Sequence, residues 1–131
     1  MDVIKATKRS VQSVEGSPVV LSCTYSSSAN NLQWYRQNPG STLQFLLLSA
    51  PYSQHVVRAQ SEDIRLNITF SETQVNLEIN SAEITDSALY YCALEPTLTQ
   101  TTHTAEQKLH HYFSAVGSLF LKSSAEGSTS K

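Results

Sequence analysis

The chain has 131 residues, 40% of them hydrophobic and 15% charged, with a formal net charge of −2. That is the size of one domain with a modest core and room for a tail, and the charge gives no reason to expect nucleic acid or an acidic membrane as partner. Two cysteines far apart in sequence suggest one bridge and an oxidising compartment, the alternative being two buried thiols.

Met1-Asp2-Val3-Ile4 runs straight into a polar, strand-like segment, so no export signal is expected there. The longest aliphatic runs, Phe45–Leu48 and Leu119–Leu121, are too short for a membrane span. Up to residue 95, short strands alternate with turn signals and no helical stripe emerges. Val11–Val14 leads into a Glu15-Gly16-Ser17-Pro18 turn. Val19, Leu21 and Cys23 then alternate with Val20, Ser22 and Thr24, which predicts a strand with the cysteine inward. Ser26, Ser27, Ser28, Ala29, Asn30 and Asn31 are small or polar and are expected to form a loop. Leu32–Gln37 reads as a strand with Leu32 and Trp34 on the core side. Asn38-Pro39-Gly40-Ser41 reads as a turn, because proline and glycine supply its restricted and positive φ values. Leu43–Leu48 is the next expected strand, and Ser49, Ala50, Pro51, Tyr52, Ser53 and Gln54 a second loop. Ile64, Leu66 and Ile68, then Val75, Leu77 and Ile79, predict a hairpin with one buried face that turns at Ser71-Glu72-Thr73. Ala88, Tyr90 and Cys92 are expected inward on the last patterned strand, with Leu89 and Tyr91 outward.

Cys23 is followed eleven residues later by Trp34, the only tryptophan, and Cys92 closes the run Asp86-Ser87-Ala88-Leu89-Tyr90-Tyr91-Cys92. This arrangement resembles an immunoglobulin variable-type domain, an all-β antiparallel Greek-key sandwich. The resemblance implies a Cys23–Cys92 disulfide between the sheets and a core of Trp34, Tyr90, Leu21 and Leu77, with the Tyr90 hydroxyl pinning a corner. Trp34-Tyr35-Arg36-Gln37-Asn38-Pro39-Gly40, the Phe45-Leu46-Leu47 strand and Cys92-Ala93-Leu94 resemble the variable domain of a T-cell receptor alpha or delta chain.

For residues 1–95 that likeness implies a variable domain that pairs with a second one. Together they would recognise peptide held by a major histocompatibility molecule, on the extracellular face of the plasma membrane as part of a full receptor. The binding loops would be Ser26–Asn31, Ser49–Gln54, and Leu94 and Glu95 with the residues after them; loops on a rigid sandwich can vary without unfolding it. Ser, Asn and Tyr52 suit such a surface, though serine-rich loops are often merely loops. Tyr35, Gln37 and Tyr91 match positions facing the partner, with Leu43 and Phe45 nearby; Phe45 in the domain's own core is the alternative. The family also pairs an arginine with the aspartate of the Asp-x-Ala-x-Tyr-x-Cys run. Its usual position here holds Asp63, leaving Arg65 or Arg58 as substitute partners for Asp86. Asn67-Ile68-Thr69 is a glycosylation sequon, used or unused, with Asn67 expected to face solvent.

A joined receptor domain ends in a Phe-Gly-x-Gly segment that forms the last strand of the pairing sheet. Phe113-Ser114-Ala115-Val116-Gly117 does not match it. The strand is therefore expected to be missing or non-native, and residues 96–131 are expected to be a largely disordered, non-homologous tail. Within it, Tyr112–Phe120 is apolar enough for a stray strand or short helix. The codons of Pro96, Thr97 and Leu98 can spell C-ACA-CTG, one mismatch from the heptamer of a recombination signal. Those from Glu106 to Leu109 can spell A-CAA-AAA-CT, one mismatch from its nonamer, at the spacing such signals use. The resemblance therefore extends to an unrearranged germline variable segment read through its signal.

His103, His110 and His111 lack cysteine or acidic companions at ligand spacing, so no metal or other cofactor is expected. Asp86 and His55 belong to different parts of the expected sheets and make no triad with a serine, so no enzyme is expected. Other readings of the same fold are an innate immune or adhesion ectodomain and an antibody light-chain variable domain.

Overall fold

A computed structural model describes residues 4–26, 28–60, 64–97 and 112–122, the last of these as backbone only. Four strands form one sheet in the order β1 (Ile4–Ala6), β3 (Val19–Tyr25), β8 (Gln74–Ile79), β7 (Leu66–Ser71). Six form the other in the order β2 (Ser10–Val14), β10 (Tyr112–Lys122), β9 (Ala88–Pro96), β4 (Ala29–Gln37), β5 (Gln44–Ser49), β6 (Val56–Arg58). All neighbours are antiparallel except β10 and β2. A 3-10 turn at Ile84–Asp86 leads into β9, and no helix among the described residues is long and apolar enough to cross a membrane.

Each sheet turns one alternate set of side chains to the core. On β3 these are Val19, Leu21, Cys23 and Tyr25, while Val20 is exposed; on β8 they are Val75, Leu77 and Ile79. Leu32 and Trp34 of β4 and Tyr90 and Cys92 of β9 come from the opposite sheet. Cys23 and Cys92 are joined by a disulfide with Cα atoms 6.7 Å apart, across 69 residues of sequence. A loop that long is worth about 4 kcal/mol in the chain-entropy picture. Trp34 sits opposite Cys92 in the β4–β9 register, so the indole lies beside the bridge. Its buried N–H has no hydrogen-bond partner among the described residues, at a cost of about 1–3 kcal/mol, and the burial of so large a ring offsets it.

The turns are explained by their residues. Ser41 N–H donates to the Asn38 carbonyl at 2.9 Å around Pro39 and Gly40, and Gly40 takes φ +74°. Proline then glycine with positive φ is the type II requirement. Glu72 takes φ +52° in the two-residue link between Ser71 and Gln74.

Asp86 organises the corner before β9. Its Oδ2 accepts the Glu83 N–H at 2.8 Å, and the Tyr90 hydroxyl donates to its carbonyl at 2.6 Å. Arg65 donates from Nη1 to Oδ2 at 2.9 Å and from Nη2 to Oδ1 at 3.3 Å. Arg36 Nη1 lies 3.6 Å from Oδ1. Arg65, not Arg58, is therefore the arginine that pairs with Asp86; Asp63 lies outside the described residues. Arg65 also donates to the Ser81 carbonyl at 3.0 Å. Pairing with β8 begins only after this anchored residue, at Leu66, so Ile64 is a turn residue, 74% exposed, and not the inward strand residue its alternation suggested.

Of the two alternatives for the strand beside β9, missing or non-native, the first is corrected: the segment expected to form a stray strand or short helix is a strand in that place. β10 pairs with β9 from Tyr112↔Leu94 to Leu119↔Ala88, with a bulge between Ala115 and Gly117, and runs parallel to β2 from Ser118↔Ser10 to Lys122↔Val14. The physical reason is that ladder hydrogen bonds come from backbone groups, and an aromatic, aliphatic segment satisfies a strand without the joining signature. Residues 98–111 and 123–131 of the tail lie outside the described residues, and with them His103, His110 and His111.

Candidate functional site

Along β4, every second residue from Asn31 to Gln37 faces away from the core, and each meets a cross-strand partner on β9. The pairs are Asn31↔Glu95, Gln33↔Ala93, Tyr35↔Tyr91 and Gln37↔Leu89. On the other flank, the β4–β5 register slips between Trp34 and Tyr35, so Trp34 faces Leu47 while Tyr35 faces Phe45. The extra residue, Leu46, is buried together with Leu47, and the slip turns Phe45 to the outer face. The Tyr35 and Phe45 rings meet edge to face with centroids 5.7 Å apart. The Tyr91 hydroxyl donates to Gln37 Oε1 at 3.3 Å, and Gln37 Nε2 donates to the Ser41 carbonyl at 3.1 Å. Tyr35, Gln37, Phe45 and Tyr91 thus form one half-buried patch. Leu43 precedes β5 and is exposed.

A chain of side-chain hydrogen bonds joins this patch to the end of the sheet. The Tyr35 hydroxyl donates to Gln33 Oε1 at 2.6 Å, Gln33 Nε2 to Asn31 Oδ1 at 2.8 Å, and Asn31 Nδ2 to Glu95 Oε1 at 2.6 Å. Every donor points toward the carboxylate, so each bond polarises the next. Burial pushes the Tyr35 phenol above its ordinary pKa of 10. Gln33, only 4% exposed, is a site residue that sequence reasoning misses. The signal is present as three amides and a tyrosine at every second position of one strand, but the polar run ending at Asn31 reads as a loop and hides it.

The loop end is built from two expected segments. Ser26 and Ser28 are exposed, and Ser27 lies outside the described residues. Ala29, Asn30 and Asn31 belong to β4, with Asn30 exposed at a bulge. In the second segment, Pro51, Tyr52, Ser53 and Gln54 are exposed and Ala50 is half-buried. Ser53 N–H donates to the Ala50 carbonyl at 3.1 Å and His55 N–H to Ser53 Oγ at 3.0 Å. Tyr52, 74% exposed, donates to the Asn30 carbonyl at 3.2 Å and ties the two segments together. Three expected contact residues are corrected. Ala29 is buried where it pairs with Pro96; Ser49 is buried at the end of β5, its hydroxyl donating to the His55 carbonyl at 2.8 Å; Leu94 is in the core opposite Leu32. In each case the strand extends further than the polarity pattern suggested, and the last ladder positions stay covered by both sheets.

Disulfide, buried indole, tyrosine-pinned corner and outer aromatic patch together define a variable-type immunoglobulin sandwich. The immunoglobulin V-set domain family matches residues 6–112, and the chain belongs to that family. Among its relatives, T cell receptor alpha variable 3 of Homo sapiens is 40% identical over 85 residues, covering 64% of this chain and 73% of the relative. T cell receptor alpha variable 7 of Homo sapiens is 39% identical over 82 residues, 62% of this chain and 69% of the relative. The T-cell receptor alpha chain V region CTL-F3 of Mus musculus is 34% identical over 94 residues, 71% and 69% respectively. A chain from a structural study of T cell specificity and activation by the bacterial superantigen toxic shock syndrome toxin-1 superposes with a TM-score of 0.74. The match covers 92% of this chain and 99% of that one at 22% identity, a likeness of fold. V-set domains and receptor variable segments are non-enzymatic, and this chain is a non-catalytic domain of that kind.

Proposed function

We propose that the chain is an antigen-recognition variable domain of T-cell receptor alpha or delta type. It pairs with a second variable domain through the outer face of its six-stranded sheet. Its loop end then contacts peptide on a major histocompatibility molecule, at the extracellular face of the plasma membrane within a full receptor. The observation that carries this reading is the patch of Tyr35, Phe45, Gln37 and Tyr91, where aromatic rings and one oriented amide stand on the outside of a sheet. Three aromatic side chains around a glutamine are the composition of an interface centre, whereas a solvated sheet face would carry charges.

The exposed Ser26, Ser28, Asn30, Tyr52 and Gln54 suit an adaptable contact surface, and the Tyr52–Asn30 bond pre-orders it. We further infer that the tail is an unjoined segment read through its recombination signal, since no Phe-Gly-x-Gly comes after Cys92; sequencing of the encoding DNA tests it.

Pairing is tested by titrating the chain with a receptor beta variable domain. Tyr35→Ala and Tyr91→Ala should each weaken association at least 10-fold, the loss of about 1.4 kcal/mol or more that interface anchors show. Tyr52→Ala should leave pairing intact. Equal affinity for wild type and both tyrosine variants, in folded protein, would remove the pairing assignment.

A further inference from the structure

We propose that Asn67 carries an N-linked glycan on the outer face of the four-stranded sheet. Asn67-Ile68-Thr69 is the only Asn-x-Ser/Thr sequon in the chain. Its setting supplies what a motif alone lacks, room for the glycan on the surface of the folded domain. Asn67 and Thr69 lie two residues apart on β7, so they face the same side, while Leu66 and Ile68 point the other way into the core. Asn67 is exposed, and its hydrogen-bond role is already divided. Its Oδ1 accepts from Arg58 Nη2 at 3.4 Å, while Nδ2, the atom that takes the sugar, donates to none of the described residues.

The surroundings suit a sugar and not a protein partner. Beside Asn67 runs a hydrogen-bonded polar surface. Thr69 donates to Glu78 Oε2 at 3.0 Å, Asn76 Nδ2 donates to Thr69 Oγ1 at 3.2 Å, and Ser22 donates to Asn76 Oδ1 at 2.7 Å. It carries none of the aromatic side chains of the opposite sheet. β7 is also the edge of its sheet among the described residues. An exposed edge invites strand addition, and a bulky polar group on it blocks that approach. Because the glycan projects from the sheet opposite Tyr35 and Tyr91, pairing and glycosylation are compatible, and neither depends on the other.

In the transfer, Asn67 Nδ2 forms a bond to the anomeric carbon of an oligosaccharide carried on a polyisoprenyl pyrophosphate. The bond from that carbon to the pyrophosphate oxygen breaks, its electron pair leaves with the pyrophosphate, and one amide proton is lost to a base.

The test is expression of the full chain behind an export leader in a mammalian secretory host, with peptide N-glycosidase digestion and mass analysis of the peptide containing residue 67. The expected result is a mobility shift of one oligosaccharide, removed by the enzyme, with Asn67 converted to aspartate. Asn67→Gln and Thr69→Ala should abolish the shift, and Thr69→Ser should retain it. Transfer precedes folding, so material retained in the cell answers as well as secreted protein. An unshifted wild-type chain, or a shift that persists in Asn67→Gln, overturns the proposal.

Discussion

Tyr90 and Asp86 concentrate the strongest single-residue constraints. Burial first, then the neighbouring Asp86 charge, push the Tyr90 phenol up to about 12, against the lowering influence of Arg36 and Arg65. Below the ordinary value of 10 both folded and unfolded chains keep that proton, and the residue contributes fully. Between pH 10 and about 12 the unfolded chain releases it first, so stability falls as pH rises, by on the order of 2 kcal/mol from this group. Tyr90→Phe should remove that part of the alkaline slope and, at neutral pH, cost about 1–3 kcal/mol by stranding the Asp86 carbonyl, as read by urea unfolding at both pH values. The two ends of the ion pair should not be equivalent. The Asp86 side chain is 2% exposed and Arg65 30%. Asp86→Ala leaves two arginines and the Glu83 N–H without their acceptor and should cost about 3 kcal/mol. Arg65→Ala leaves Arg36 beside the carboxylate and should cost about 1 kcal/mol. Chemical denaturation of both variants gives the order, and a larger loss for Arg65→Ala would contradict it.

At the level of elements, the β7–β8 hairpin holds a non-glycine residue at positive φ. Glu72 at φ +52° places its Cβ against its own carbonyl, a strain of about 1–2 kcal/mol that the larger unfolded-state freedom of glycine partly cancels. Glu72→Gly should therefore raise stability by about 0.5 kcal/mol, visible as a small upward shift in the thermal midpoint. β10 has the larger consequence. It covers the edge of β9 and supplies the neighbour that keeps β2 in the sheet. Truncation after Thr97 should expose the β9 backbone from Ala88 to Leu94. Those amides should lose protection in hydrogen exchange, and the protein should self-associate on a sizing column, because an open edge recruits other strands. A truncated chain that stays monomeric with β9 still protected would show that β10 is dispensable.

Across the whole molecule, the two sheets divide the labour. The four-stranded sheet presents amides, hydroxyls and a carboxylate outward, while the six-stranded sheet presents aromatic rings around Gln37. The disulfide and Trp34 clamp the layers between them. The hydrogen-bond chain from Tyr35 to Glu95 runs along the outside of the second sheet, toward the end where Asn30 and Tyr52 meet. A rigid strand that carries both the aromatic patch and the base of the loops fixes one relative to the other.

Sequence by itself determined the sandwich, because Cys23, Trp34, Tyr90 and Cys92 act through local alternation and fixed spacing. It also determined which side of most strands is buried, since period two is a property of the chain. Tertiary structure alone decided matters that depend on a neighbour distant in sequence. The β4–β5 slip turned Phe45 outward, and partner strands covered Ala29, Ser49 and Leu94. Arg65 reached Asp86 where the expected position held Asp63. β10 took the place beside β9 without the joining motif. Backbone pairing and burial are set by what lies opposite, and that information is absent from any local stretch of residues.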